Sequence, residues 1–261
     1  MRVDEDAPNP KLADLERLHS AEAIQARLEE GPRQSYLRDW VYGAVDGTVT
    51  TFAVVAGVAG AELSPTIVIV LGFANLFGDG FSMAAGNYLG TRSEQAHRRR
   101  QVAIEREHIR IYPEGEREEV RQIFARKGFE GPELESIVDH ITADRERWIE
   151  TMLQEEHGLA RIERSPLRAA ASTFLAFLLV GLVPLLAYVW DALAPDGAGL
   201  ARPFLWSSIL TALAFFGIGA LKSRFVGERW WVSALETTAV GGFAASIAYF
   251  VGALLRGVLV A

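Results

Sequence analysis

No cysteine occurs in the 261 residues, so the chain can build neither a disulfide framework nor a thiolate metal site, and its redox compartment is left unmarked. Basic residues are outnumbered, with 26 Lys and Arg against 33 Asp and Glu and a net charge of −7. That balance excludes the basic footprint of a nucleic-acid binder. The N-terminus lacks the basic-then-apolar order of a cleaved secretory signal, because residues 1–35 are charged and never continuously apolar. A nucleophile constellation, a phosphate loop and a dinucleotide fingerprint are all missing, which makes the sequence read as that of a protein other than an enzyme. Strand alternation, low-complexity tracts and internal repeats are missing too.

What is present is segregation. Half the residues are hydrophobic, yet mean hydropathy is only +0.14, because charge is gathered into residues 1–40 and 92–166. The stretches 41–61, 66–90, 168–190, 204–221 and 232–254 carry almost none. Each approaches the roughly 20 apolar residues that cross a hydrocarbon core of about 30 Å. The expected fold is therefore all-α and polytopic, with five transmembrane helices and a helical insert between spans two and three. Its parts are an N-terminal arm (1–40), spans one and two (41–91), the insert (92–166) and spans three to five (167–261). In the arm, Leu12, Leu15, Leu18, Ile24 and Leu28 predict an amphipathic helix over 10–30.

Charge asymmetry orients the spans. Arg33 and Arg38 precede span one; Arg92, Arg98, Arg99 and Arg100 follow span two; Arg161, Arg164 and Arg168 precede span three; Lys222, Arg224 and Arg229 separate spans four and five. By the positive-inside rule the N-terminus and insert are cytoplasmic and the C-terminus is outside, with Arg256 the one dissenting charge. Within the insert a helix continues out of span two to Ile111, Pro113 opens a second that ends before Gly128, Pro132 opens a third, and a fourth from Ala143 feeds span three.

Polar groups inside spans are costly and mark pathways. Span one carries Asp46 between Gly43 and Gly47, with Thr50 one turn on and Ala53, Gly57 and Ala61 repeating the small-residue spacing. Such a face predicts tight packing on another helix, including a copy of itself in a homodimer. Span two carries Asn75, Asp79, Met83 and Asn87 at four-residue intervals, a polar stripe on one face. Carboxylate, amide and thioether together suit a divalent transition metal better than Mg2+ or Ca2+, although a methionine in a helix more often fills a packing gap. In the insert, Glu105 with His108, Glu116 with Glu119, and Met152 with Glu156 share helix faces. Each pair offers two ligands to a cation, against the competing reading of a solvated mixed-charge face with Arg106, Arg110, Arg117 and Arg121. Two Glu-x-x-His units, Glu94/His97 and Glu105/His108, match the ligand unit of di-iron bundles. Eleven residues separate them, about 16 Å along one helix, so a dinuclear centre needs partner helices.

Several stretches resemble the vacuolar iron transporter family: Arg38-Asp-Trp-Val-Tyr-Gly-Ala-Val-Asp-Gly47, Gly80-Phe-Ser-Met-Ala-Ala-Gly-Asn-Tyr-Leu-Gly90, Ser93-Glu94, Gly181-Leu-Val-Pro-Leu-Leu186 and Ser233-Ala-Leu-Glu-Thr237. The resemblance covers about residues 35–255. It implies a five-span homodimer that exports Fe2+, and also Mn2+, from the cytosol in exchange for protons, with Zn2+ and Co2+ as further candidate cargo and no permanently bound cofactor. It implies pathway roles for Asp46 and Met83, and an insert site of Glu105, Glu116, Glu119, Met152 and Glu156. The chain departs from the pattern at His108, where relatives carry glutamate, at Asn75, where plant members carry glutamate, at Asp79, where they carry a small residue, and at Leu153, which replaces a methionine. Glu236 in span five is expected to pair with Lys222 or to carry protons. The setting implied is a bacterial inner membrane. Rival readings are a membrane-tethered di-iron ferroxidase or metal sensor, and a metal-gated channel.

Overall fold

The computed structural model describes residues 10–30, 35–159, 164–195 and 199–259, and its regular structure is entirely helical. The N-terminal arm is a unit of its own with two helices, α1 (Pro10–Leu18) and α2 (Ala21–Glu30), rather than the single helix expected. The break has a local cause: Ser20 Oγ accepts from the Ala23 backbone N–H at 3.2 Å, and such a cap starts a new helix.

Five helical spans are long and apolar enough to cross a bilayer. The first is α3 (Leu37–Gly60); the second lies in α4 (Pro65–Ile111), which opens with proline in its first turn. At 47 residues, α4 is about 70 Å long, roughly twice the hydrocarbon thickness. Its second half must therefore stand clear of the membrane and belongs to the insert. The helix stops because Pro113 follows: Tyr112, at φ −138 and ψ 66, is pushed out of the helical region.

The insert continues with α5 (Pro113–Arg126), α6 (Gly131–Thr142) and α7 (Arg145–Glu155). Asp144 caps α7 by accepting from Arg147 N–H at 2.8 Å. The expected run of this helix into span three does not occur. Gly158 takes φ +65, a conformation that costs glycine nothing, and the turn brings Leu159 N–H to the Leu153 carbonyl at 2.7 Å. Span three starts afresh with α8 (Pro166–Gly181), passes a 3-10 turn at Val183–Leu185 and ends in α9 (Leu186–Leu193). Pro184 has no N–H to continue the ladder, and its own carbonyl accepts from Ser207 Oγ at 2.5 Å. Spans four and five are α10 (Pro203–Val226) and α11 (Trp230–Leu259).

In the membrane part α3 is the central helix, with α4 and α8 on one side and α10 and α11 on the other. Its buried residues Val41, Ala44 and Val55 share one core with Leu76, Phe177, Leu185 and Phe215. The small-residue face predicted on span one is used inside the chain. A Cβ on Gly43 would run into the Thr173 carbonyl, and one on Gly47 would lie 2.6 Å from the Phe177 carbonyl oxygen, so α8 approaches as closely as it does only because both positions are glycine. Further along, Gly57 backs onto Ala248 and Gly252 of α11. The insert has a separate core of Ile109, Val120, Val138, Ile141, Trp148, Ile149, Met152 and Leu153. Arg256, the dissenting charge, forms an ion pair with Glu62.

Candidate functional site

Several arginines of the insert tie its helices together. Arg98 pairs with Glu150 at 2.5 Å and Arg106 with Glu146 at 2.9 Å, joining α4 to α7. Arg117 pairs with Asp139, and Arg121 with Glu135 at 2.7 Å, joining α5 to α6. What they leave unpaired is informative. Among the described residues, no arginine or lysine pairs with Glu105, Glu116, Glu119 or Glu156.

These acids converge where α4, α5 and the chain just past α7 meet. Glu105, at 2 % exposure, and Glu116 are buried. Each has an Oε2 with no hydrogen-bond partner among the described residues, an arrangement that costs free energy unless a cation or proton satisfies it. His157 Nε2 lies 2.8 Å from Glu105 Oε1, and His108 Nδ1 lies 3.2 Å from Glu116 Oε1. Two overlapping triads result, Glu105/Glu156/His157 and Glu105/His108/Glu116, each with ligand atoms within 4.8 Å of one another. Electrostatics agree with the geometry. Burial first, then the charges of Glu119 and Glu105, push Glu116 up to about 7. Glu119 is raised by partial burial and by Glu156 and Glu105. His157 is raised by its hydrogen bond to Glu105. Oxygen and imidazole donors of this kind suit divalent first-row metals.

A second polar region lies within the spans. Asp46 is half-buried on α3 and lines a groove of about 610 Å³ with Tyr42, Val45 and Val49 of the same helix, Met83 of α4, and Lys222 and Glu236 of α10 and α11. Lys222 Nζ is 2.9 Å from Glu236 Oε2, the pairing expected from sequence. Asp79 is exposed on α4 and close enough for its charge to act on Asp46. Thr50 donates to the Asp46 carbonyl at 2.9 Å and accepts from Asn75 Nδ2 at 3.1 Å. Asn75 thus spends its amide on a tie between spans, also donating to Thr51 at 3.2 Å.

The span-two stripe divides. Asn87 is drawn inward, where its Nδ2 donates to Asp39 Oδ1 at 3.0 Å and to Thr173 Oγ1 at 2.8 Å. With Asp39, Arg164, Glu94 and Met83 it lines a cavity of about 400 Å³ on the insert side of the groove. Met83 lines both spaces. The two Glu-x-x-His units part in the same way: Glu94 reaches the cavity, whereas Glu105 and His108 join the insert cluster. Met152 is wholly buried in the apolar core of the insert, beside Val120 and Trp148.

Two groups escaped sequence reasoning. His157 follows Glu156 directly and shares no helical spacing with Glu105; only the turn at Gly158 brings it in. Asp39 reads as an ordinary first-turn acid of α3, and its burial is set by α4 and by the segment before α8.

The VIT family model matches residues 37–253. A vacuolar iron transporter of Toxoplasma gondii is 34% identical over 94% of this chain and 86% of its own length. Vacuolar iron transporter 1 of Oryza sativa subsp. japonica is 31% identical over 92% of both, and that of Arabidopsis thaliana 34% identical over 82% of this chain and 83% of its own. Because the match takes in the spans and the insert between them, the chain belongs to the VIT family, whose named relatives are membrane transporters and not enzymes.

Proposed function

We propose that this protein carries Fe2+, with Mn2+ as a second cargo, from the cytoplasm across the membrane in exchange for protons. Iron as cargo comes from the names of the relatives. The observation that carries the route is the shared position of Met83, which borders the insert-side cavity and the groove of Asp46. A thioether there favours softer divalent ions over Mg2+ and Ca2+. The insert carboxylates with His108 and His157 collect the ion; Asp46, Asp79 and Met83 pass it on. Carboxylates that bind metal when ionised and protons when empty give exchange directly.

The direction rests on the arginines around the insert, whose excess over the opposite side favours a cytoplasmic insert by the positive-inside rule. A bacterial inner membrane fits that arrangement. A homodimer is part of the reading, because Asp79 is exposed on a membrane-spanning stretch, where a charge facing lipid is costly. With the glycines of α3 filled from within, its remaining strip of Tyr42, Val45 and Asp46 is what a second copy would meet.

The test is uptake by the full-length protein in proteoliposomes with an imposed pH gradient, using Fe2+, Mn2+, Co2+ and Zn2+. Fe2+ uptake should rise when the lumen is acidic and vanish in Asp46→Ala. Uptake indifferent to the gradient would make the protein a channel, and wild-type uptake by Asp46→Ala would remove that residue from the path.

A further inference from the structure

We propose that Asp39 is a further divalent-cation site, on the insert side of Asp46, kept closed between passages by Arg164; this rests on the transport reading above. Asp39 lies seven residues before Asp46 on α3, so both fall on nearly the same helix face, about 10 Å apart along the axis. It is buried to 7 % exposure, yet it borders the 400 Å³ cavity together with Glu94 and Met83, and with Arg38, whose guanidinium is held over the Tyr42 ring. A divalent ion with six waters needs roughly 200 Å³, at about 30 Å³ per water, so a hydrated ion fits.

Both carboxylate oxygens of Asp39 are engaged. Oδ1 accepts from Asn87 Nδ2 at 3.0 Å, and Oδ2 accepts from Arg164 Nη2. The two partners differ in how firmly they are built in. Asn87 belongs to the middle of a long helix. Arg164 lies two residues before α8, outside any helix; its guanidinium sits over the Tyr36 ring, 5.8 Å from the centroid, and its Nε is buried with no hydrogen-bond partner among the described residues. A guanidinium so placed is a tethered cation in a site that accepts positive charge. Its carbonyl is held by Gln95 Nε2 at 2.7 Å, and Ser165 N–H is held by Tyr36 Oη at 3.1 Å, so the pair pins the segment over the start of α3. A divalent ion entering beside Glu94 competes with the guanidinium for Asp39 Oδ2. Displacement of Arg164 opens the route to Met83. A merely structural pair predicts none of this, because in it nothing competes with an ion for Asp39 Oδ2.

Mn2+ binding to the full-length protein in detergent, read by electron paramagnetic resonance, separates the two roles. Glu105→Gln and Glu116→Gln are first introduced to silence the insert. On that background Arg164→Gln should tighten residual Mn2+ binding about tenfold or more, the gain expected when a competitor that holds the site most of the time is removed. Adding Asp39→Asn should abolish the gain. Arg164→Lys, which keeps a charge there, gives a smaller gain and serves if the glutamine variant folds poorly. The exchange Asp39→Arg with Arg164→Asp, made in the otherwise wild-type chain, should transport no Mn2+ in proteoliposomes. Unchanged or weaker Mn2+ binding in Arg164→Gln, or wild-type transport by the exchanged pair, would overturn the proposal. A wild-type protein that binds Mn2+ in this Asp39-dependent way but moves none would instead sink the transport reading.

Discussion

His157 Nε2 lies 2.8 Å from Glu105 Oε1, joining the chain just past α7 to the middle of the long helix that rises out of span two. The contact places an imidazole beside a carboxylate whose second oxygen is buried and has no hydrogen-bond partner among the described residues. His157→Ala should weaken binding of Co2+ or Fe2+ by the full-length protein about 10–100-fold, the usual cost of losing a ligand or its orienting partner, and should lower the melting temperature of the metal-free protein, because Glu105 Oε1 loses its hydrogen-bond partner. Isothermal titration calorimetry checks it, and an unaltered affinity would show that the imidazole only fills space.

The insert should have an inverted pH response when metal-free. Glu116 is raised from 4.5 to about 7, first by burial, so the folded state holds its proton more tightly than the unfolded chain does. That stability is complete below about pH 4.5 and is lost as pH rises through about 7, by at most about 3 kcal/mol. His157, also raised, acts with the same sign from its unfolded value of about 6.5 upward. Metal binding should strengthen over the same window, because the ligands must shed protons. Melting curves with and without Mn2+ between pH 5 and 8 should therefore diverge as pH rises, and Glu116→Gln should flatten the metal-free curve.

The dimer is testable because the chain has no cysteine. Tyr42, on the open strip of α3, is 49% exposed and Phe243, on α11, is 70% exposed. Under mild oxidation in membranes, Tyr42→Cys should give a disulfide-linked dimer on a non-reducing gel, whereas Phe243→Cys should stay monomeric. Equal cross-linking at both positions would remove the groove as the interface.

The contact between α3 and α8 should tolerate little change. Phe177 is fully buried against Gly47. Phe177→Ala should cost about 3–5 kcal/mol, read as a lowered melting temperature in detergent. Gly47→Leu should prevent folding, because the added side chain meets α8 backbone.

Most helices were legible because their causes are local. Apolar length gives the spans, and Pro65, Pro113 and Pro166 mark three of the starts. The misses were local too, but finer: Ser20 caps a second helix inside the arm, and Gly158 ends α7 before span three. The site was legible as far as helical spacing reaches, hence Glu105 with His108 and Glu116 with Glu119. The small-residue face on α3 was read correctly as a packing surface, and its occupants, α8 and α11, belong to the same chain.

By itself, then, the sequence determined the five spans, the helical insert and the acidic residues that share helix faces at three- and four-residue spacing, because hydropathy and helix periodicity act over neighbours in the chain. Only the tertiary structure decided that, among the described residues, arginines leave Glu105 and Glu116 unpaired, that His157 joins them, that Met152 sinks into a core and that Arg164 closes on Asp39. Those outcomes depend on which faces of distant helices meet, and burial and pairing between residues 52 or 125 positions apart leave no periodic trace in the chain.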